Sequence, residues 1–555
     1  MPRNKRVQKE WKYKILGHPA MIFKKGQKLF HFGIVVLVLL DLSSCTEKTP
    51  QEKPKKQPNI LWIYLEDTAP LLGCYGNSLV STPNIDSLAS SGVLYQQVYM
   101  PAPVCSASRS SIITGVMSTT LGTHNHHSSR TRESAINLPE GLKTIPELFK
   151  KAGYFTFNNG KDDYNFTYDR RDLYDQEYKI HPLYGKSGIR LDISTLNTKE
   201  PFFGQIQMYG GKEIFSSEFK ENIETPIDRS KIALPPYLPD DPVIVEEYAN
   251  HLEAIQITDK KVGQVMQKLK DSGVLKNTVI FFFSDHGMRL TRNKQFLYDG
   301  GLHVPLIITD FTKRYDKIPS GSSNTNLVSG LDLGISSLAL ADIPIPEYME
   351  GRNIFDDGGE IRKYVISTRD RCDFTIDRIR SIRSKEFKYI RNFMIDRPYT
   401  QPTYMDVDSV PFVQVMHRLH NYKKLDSIQD RFMSDERPAE ELYNLKEDPF
   451  ELHNLAGLPE FAETLEEYSG VLDAWIIETD DKGQYPESEE GLALMLGIWG
   501  EHCVNPEYES LRKKYPELEG SLFYLKKELF TPIAADFVGD PLPELKKHVQ
   551  ERVVQ

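Results

Sequence analysis

Apolar runs that stop abruptly at acidic residues set the frame of this chain. Asn59-Ile60-Leu61-Trp62-Ile63-Tyr64-Leu65 is apolar at nearly every position, the pattern of a strand buried on both faces, and it ends in Glu66-Asp67. Thr278-Val279-Ile280-Phe281-Phe282-Phe283-Ser284 repeats the pattern and ends in Asp285-His286-Gly287. Strands are also predicted at Gly153 to Phe157, Pro201 to Gln207 and His303 to Ile308. After the first run, Thr82 is expected to cap a helix with Pro83 at its first position, Ile85, Leu88 and Ala89 on one face, and Gly92 at its end. Strand, loop and helix in alternation predict an α/β fold. Ligands of open α/β sheets bind at the C-terminal strand ends. If the two acidic tips are neighbours, Glu66, Asp67, Asp285 and His286 form an oxygen-rich pocket with one imidazole, suited to a hard divalent cation such as calcium.

The pattern changes in the last third. Ile379 to Arg391 alternates basic and apolar residues at a strand period, and Glu441 to Pro449 runs into a turn. Arg369-Asp370-Arg371-Cys372-Asp373 is either a structural ion-pair cluster or a segment reaching the cleft. Residues 500–555 carry helix-like charge patterning. At the other end, Lys24, Lys25 and Lys28 precede the apolar run Ile34 to Leu40, and Leu42-Ser43-Ser44-Cys45 follows. That run is shorter than the roughly 20 residues a membrane-spanning helix needs, and it fits a signal-peptide core. The expectation is an exported bacterial lipoprotein, periplasmic or at the cell surface. Its start would be at Met21, and a lipid on Cys45 would hold it to a membrane. The expected division is a leader (1–45), a linker (46–58), a catalytic domain (59–360) and a C-terminal subdomain with a helical tail (361–555).

Composition narrows the function. A chain of 555 residues is long enough for two cores. A net charge of −10 with no basic stripe argues against nucleic acid as a partner. Five cysteines, odd in number and widely spaced, form neither a zinc pattern nor a dense disulfide frame; pairing among Cys74, Cys372 and Cys503 is left open.

The chemistry centres on Cys105-Ser106-Ala107-Ser108-Arg109-Ser110-Ser111-Ile112-Ile113-Thr114-Gly115. Pro101 and Pro103 keep the approach extended, Ala107 to Ile113 favours helix, and Gly115 falls where a left-handed C-cap would stand. Cys105 and Arg109 then share one face, one turn apart, at the positive end of the helix dipole. A nucleophile, a cation and free backbone N–H groups converge on whatever Cys105 attacks, which favours an anionic substrate.

This stretch resembles the signature of the type I sulfatases of the alkaline phosphatase superfamily, Cys-x-Pro-or-Ala-x-Arg followed by a small-residue helix ending in Thr-Gly. The resemblance spans roughly Asn59 to Ala456 and implies a large mixed, mostly parallel sheet sandwiched by helices, with a smaller C-terminal α+β domain built on an antiparallel sheet. It implies that Cys105 is oxidised to formylglycine by a sulfatase-maturating enzyme. With Ala107 in place of proline, that enzyme would be of the radical type. It further implies one calcium ion, held by Glu66, Asp67, Asp285 and His286, and a sulfated saccharide as substrate. Arg109, Lys161 in Gly160-Lys161-Asp162-Asp163, and Lys294 would act on the sulfate; His124, Asp163 and His303 are assigned to substrate contact.

Departures from the family pattern are specific. Glu66 stands where aspartate is usual, and His286 where many members have asparagine. Asp163 replaces one active-site histidine. The strand Pro201 to Gln207 continues Met208-Tyr209-Gly210-Gly211-Lys212 where a second histidine is expected. The proton for the leaving group must come from elsewhere, and His124, His126 and Lys294 are candidates. The tract Thr123-His124-Asn125-His126-His127 fits a pocket-lining loop better than a metal site. In look the chain is nearest to bacterial relatives of heparan N-sulfatase. The alternatives are a phosphodiesterase or phosphonate hydrolase of the same superfamily, and a non-catalytic lipoprotein that binds sulfated glycans.

Overall fold

The computed structural model describes residues 56–128, 134–175 and 192–516, except 357, 360 and 409. The larger sheet contains β1 (Asn59–Leu65), β2 (Val93–Tyr99), β3 (Phe155–Asn159), β4 (Phe202–Met208), β5 (Thr278–Ser284), β6 (Leu306–Asp310) and β7 (Ser322–Ser329). Their order is β3-β4-β1-β5-β6-β2-β7. β6 runs antiparallel to both neighbours, and the other pairings are parallel. The mixed, mostly parallel sheet expected from the sequence is therefore present.

β1 shows why its apolar run is unbroken. Leu61, Ile63 and Leu65 pack on one side against Ile85 of the first helix and Leu252 and Val262 of the long helix Pro242–Asp271. Ile60, Trp62 and Tyr64 pack on the other against Ile112, Ile113 and Leu333. Alternate side chains thus feed two buried cores. Complete burial of each large apolar side chain contributes about 1.5–3 kcal/mol.

The first helix, α1 (Pro83–Ser90), buries Ile85, Leu88 and Ala89 as its pattern requires. Thr82 does not cap it through its side chain; that hydroxyl accepts from Gly73 N and donates to Asp86. The capping carboxylate comes from Asp259 of the long helix, which accepts from Ile85 N at 2.8 Å. An N-terminus can be satisfied by a distant residue as well as by its own neighbour.

The second sheet, β8 (Val365–Arg369), β9 (Ile379–Arg383), β10 (Phe387–Asn392) and β11 (Glu440–Asn444), is antiparallel in the order β11-β10-β9-β8. Tyr468 and Leu472 of the helix Ala462–Thr479 cover its Ile382, Tyr389 and Leu442. Its inward-turned basic residues are not solvated, on either face. Arg380 is buried between Asp370 and Asp481, and Lys388 between Asp299 and Glu451. β8 also braces the segment before Cys105, since Thr368 N donates to Pro101 O at 2.9 Å.

Cys74, Cys105, Cys372 and Cys503 are all free thiols. The expected leader, Cys45 with its expected lipid, and most of the predicted tail lie outside the described residues. No helix among the described residues is long and apolar enough to cross a membrane.

Candidate active site

Parallel neighbours end on the same rim, and four adjacent strands deliver the chemistry there. β1 pairs with β4 and β5 so that Leu65 lies level with Met208 on one side and Ser284 on the other. The residues just beyond are Glu66-Asp67, Asp285-His286 and the turn Gly210–Phe215, while β3 leads to Lys161. The two acidic tips meet directly: Asp67 N donates to Asp285 Oδ1 at 3.2 Å. Asp67 adopts φ +50°, a left-handed conformation costing about 1–3 kcal/mol for a non-glycine residue, and is held in it by this packing.

Opposite the rim stands α2 (Cys105–Thr114), which starts at Cys105 and ends on Gly115 at φ +71°. It is docked by Ser108 Oγ donating to Asp285 O at 2.6 Å and by Arg109, whose Nε lies 3.1 Å from Asp285 Oδ2. Arg109 also reaches Glu66 at 3.5 Å, donates to Lys161 O and Gln207, and stacks on Tyr64 at 4.5 Å. Every polar arm of this buried guanidinium is turned to the rim, so Arg109 fixes Cys105 against it.

Around Cys105 Sγ lie His286 Nε2 at 3.2 Å and the ammonium groups of Lys212 and Lys294, each at 3.6 Å. Lys294 is also 2.9 Å from Asp67 Oδ1; Lys161 bridges Glu66 at 3.4 Å and Asp163 at 2.9 Å. Lys212 bonds Glu66. Burial opposes the thiolate, but Lys161, Lys212, Lys294 and His286 more than offset it and bring the Cys105 thiol down to about 6. Burial likewise opposes ionised Glu66 and Asp67; Lys161, Lys212 and Arg109 for the first, and Lys212, Lys294 and His286 for the second, hold both carboxyls far below their usual range.

Two overlapping triads, Asp67–Cys105–His286 and Glu66–Cys105–Asp285, place their ligand atoms within 4.8 Å of one another. Three oxygen donors and one imidazole around a shared point suit a hard divalent cation. Glu66 shares its oxygens with the most cations of the four.

The structure brings together Cys105, Arg109, Lys161, Lys294, Glu66, Asp67, Asp285 and His286. Asp163 joins them, with ligand atoms of Cys105, His126 and Asp163 again within 4.8 Å, and His127 lies 3.4 Å from Asp163. His124 is not brought in: it is buried, and the charges acting on it are Asp370, Arg380, Asp481 and Glu487 of the second network. His303 is not brought in either. It bridges to Tyr99, stacks on that ring and bonds Gln96 O at 2.8 Å, because the turn before β6 is tied to β2. Arg369 and Arg371 are committed to Asp377 and Glu487, the structural ion-pair reading of their segment.

Lys212 is the residue that sequence reasoning missed. Its turn passes so close to β1 that a Cβ on Gly210 would meet Glu66 O at 2.3 Å, and one on Gly211 would meet Asp67 O at 2.3 Å. The Gly210-Gly211 pair was the available signal: glycines admit close backbone approach, and here that approach swings Lys212 over Cys105.

Comparison with known proteins agrees with this geometry. The sulfatase family model matches residues 58–343, which contain the whole larger sheet. An ulvan-active sulfatase of Formosa agariphila is 33% identical over 504 residues, covering 83% of this chain and 81% of its own. Human N-sulphoglucosamine sulphohydrolase is 25% identical, covering 76% of this chain and 90% of its own. A solved 2-O GAG sulfatase shares the fold, with a TM-score of 0.56, 21% identity, and coverage of 77% of this chain and 94% of that one. Likeness of that extent, centred on the strands that carry the site, makes this chain a member of the sulfatase family, a sulfuric ester hydrolase.

Proposed function

We propose that this protein is a calcium-dependent, formylglycine-bearing sulfatase that releases sulfate from a sulfated polysaccharide or its fragments, anchored to a membrane through a lipid on Cys45. The observation that carries the proposal is the ring of His286, Lys212 and Lys294 within 3.6 Å of Cys105 Sγ, over the joined tips of β1 and β5. The curated relatives act on ulvan and on N-sulphoglucosamine, both sulfated carbohydrates by name, and support that substrate class.

The charge balance supports an anionic substrate with a metal. Glu66, Asp67, Asp163 and Asp285 give four negative charges, and Arg109, Lys161, Lys212 and Lys294 give four positive. These eight groups sum to zero, so a bound dication would leave the site net positive, which favours the singly charged anion of a sulfate ester. Glu66, Asp67, Asp285 and His286 would hold the cation. When bound, calcium and the formylglycine hydrate supply a nucleophilic oxygen and an electrophilic clamp on sulfate.

The remaining work belongs to side chains. Cys105 Sγ marks where the nucleophilic oxygen sits after maturation. Lys161 and Lys294, almost wholly buried, face the sulfate oxygens as fixed positive charges. Arg109 positions the nucleophile from behind. Lys212 is the most exposed of the three lysines, with 23% of its side chain accessible against 11% and 6%. It therefore stands toward the cleft mouth, where the departing saccharide oxygen must leave, and serves as its proton donor.

The test is co-expression with a radical-type sulfatase-maturating enzyme, mass spectrometry of the peptide containing Cys105, and sulfate release from ulvan-derived and glycosaminoglycan-derived oligosaccharides. An aldehyde at residue 105 with sulfate release supports the proposal; an aldehyde with phosphate-ester turnover alone overturns it.

A further inference from the structure

One cation near this cleft is not accounted for by sulfate chemistry. Arg289, five residues past the end of β5, makes no hydrogen bond or ion pair with any described residue, and its Nε is buried without a partner. Its guanidinium lies 4.5 Å from the centre of the Phe215 ring and 5.9 Å from that of Phe412. Phe412 is core, but Phe215, at the end of the turn that carries Lys212, is 59% exposed. Glu247 acts on Arg289 electrostatically without forming an ion pair, and burial pushes its own carboxyl up, toward the neutral form.

Position ties this pair to the active site. Phe215 closes the turn Gly210–Phe215 that carries Lys212, and Arg289, stacked on its ring, follows His286 by three residues, so the pair borders the Lys212 side of the cleft, where the saccharide leaves. An exposed aromatic ring offers a platform for the apolar face of a sugar. A guanidinium stacked on such a ring, with its fork unused, is built to take an oxyanion in bidentate fashion.

We propose that Phe215 and Arg289 form a second saccharide subsite, which stacks the sugar next to the sulfated one and pairs with a carboxylate or a further sulfate on it. The proposal rests on the sulfatase reading above, and it makes the enzyme selective for acidic oligosaccharides over neutral ones.

The test uses the mature full-length enzyme and three sulfated disaccharides: one with a uronate neighbour, one with a sulfated neighbour and one with a neutral neighbour. One or both acidic disaccharides should have a KM roughly tenfold to a hundredfold below the neutral one, the range expected of a charge-assisted bidentate pair. Comparing the two acidic arms identifies the oxyanion. Arg289→Gln should bring the KM ratio close to one with kcat nearly unchanged, Arg289→Lys should fall between, and Phe215→Ala should raise KM for all three disaccharides. An acidic preference absent from the wild type, or one that survives Arg289→Gln, overturns the subsite. Calorimetry on Cys105→Ser protein reads the same ratio as binding, so that failure of turnover counts against the sulfatase reading, and loss of the binding ratio against the subsite.

Discussion

Lys212 Nζ and Lys294 Nζ stand at the same distance, 3.6 Å, from Cys105 Sγ, one brought by the turn after β4 and the other by the loop after β5. They differ in surroundings: Lys294 is buried against Asp67, and Lys212 opens toward the cleft. A proton donor matters in proportion to how poorly the leaving group departs by itself. Lys212→Met should therefore lower kcat on a saccharide sulfate by about 10²- to 10⁴-fold, and on an activated aryl sulfate by about tenfold or less. Lys294→Met should slow both substrates alike, since it acts on the sulfate they share. Steady-state kinetics on the two substrates checks the contrast.

Removal of the divalent cation should abolish turnover. Dialysis against a chelator is expected to give inactive protein that calcium restores, and Asp285→Asn should lose at least about 10²- to 10³-fold in kcat, the scale of one electrostatic contact to the reacting group. Because Asp285 also receives Arg109 and Asp67 N, its loss should weaken calcium binding and the docking of α2 together. Calcium titration by calorimetry with the variant measures the first.

The unmatured protein offers a pH signature. A thiol near 6 lies below the free-cysteine value of about 8.5, so the thiolate is present above about pH 6 and lost as pH falls through that value. In chelator, alkylation of Cys105 should be half-maximal near pH 6, where an ordinary cysteine would need about pH 8.5. Lys212→Met and Lys294→Met should each move the midpoint upward, because each removes a charge that favours the thiolate. Mass spectrometry of the peptide after timed alkylation gives the profile.

Stability depends on a second network, centred on β9. Arg380, fully buried in β9, bonds Asp481 through Nε at 2.7 Å and Asp370 through Nη2 at 3.0 Å. Arg380→Ala would leave buried Asp370 without its cation and Asp481 with only Arg378, 3.5 Å away, at a cost of about 3–5 kcal/mol. Denaturant unfolding should show this loss, whereas Arg171→Ala, at an exposed pair, should cost under about 1 kcal/mol.

Much of the site was legible because its elements announce themselves locally. β1 and β5 could be read from unbroken apolar runs, and their acidic ends from a change of residue class at a strand tip. Cys105, Arg109 and Gly115 could be read from helix spacing. What local pattern cannot give is which strands are neighbours. Lys212 became part of the site only because β4 lies beside β1, an adjacency set by burial across residues far apart in sequence. His303 failed for the same reason: its strand was legible, but β6 runs antiparallel between β5 and β2, and the preceding turn leans on Tyr99.

On the proposed mechanism residue 105, once matured, is the nucleophile for sulfur. Sulfate release from a saccharide sulfate, measured on one preparation separated into aldehyde-bearing and thiol-bearing fractions, tests it most directly. Release should follow the aldehyde fraction in proportion, with none from Cys105→Ala. Equal release from both fractions would contradict it.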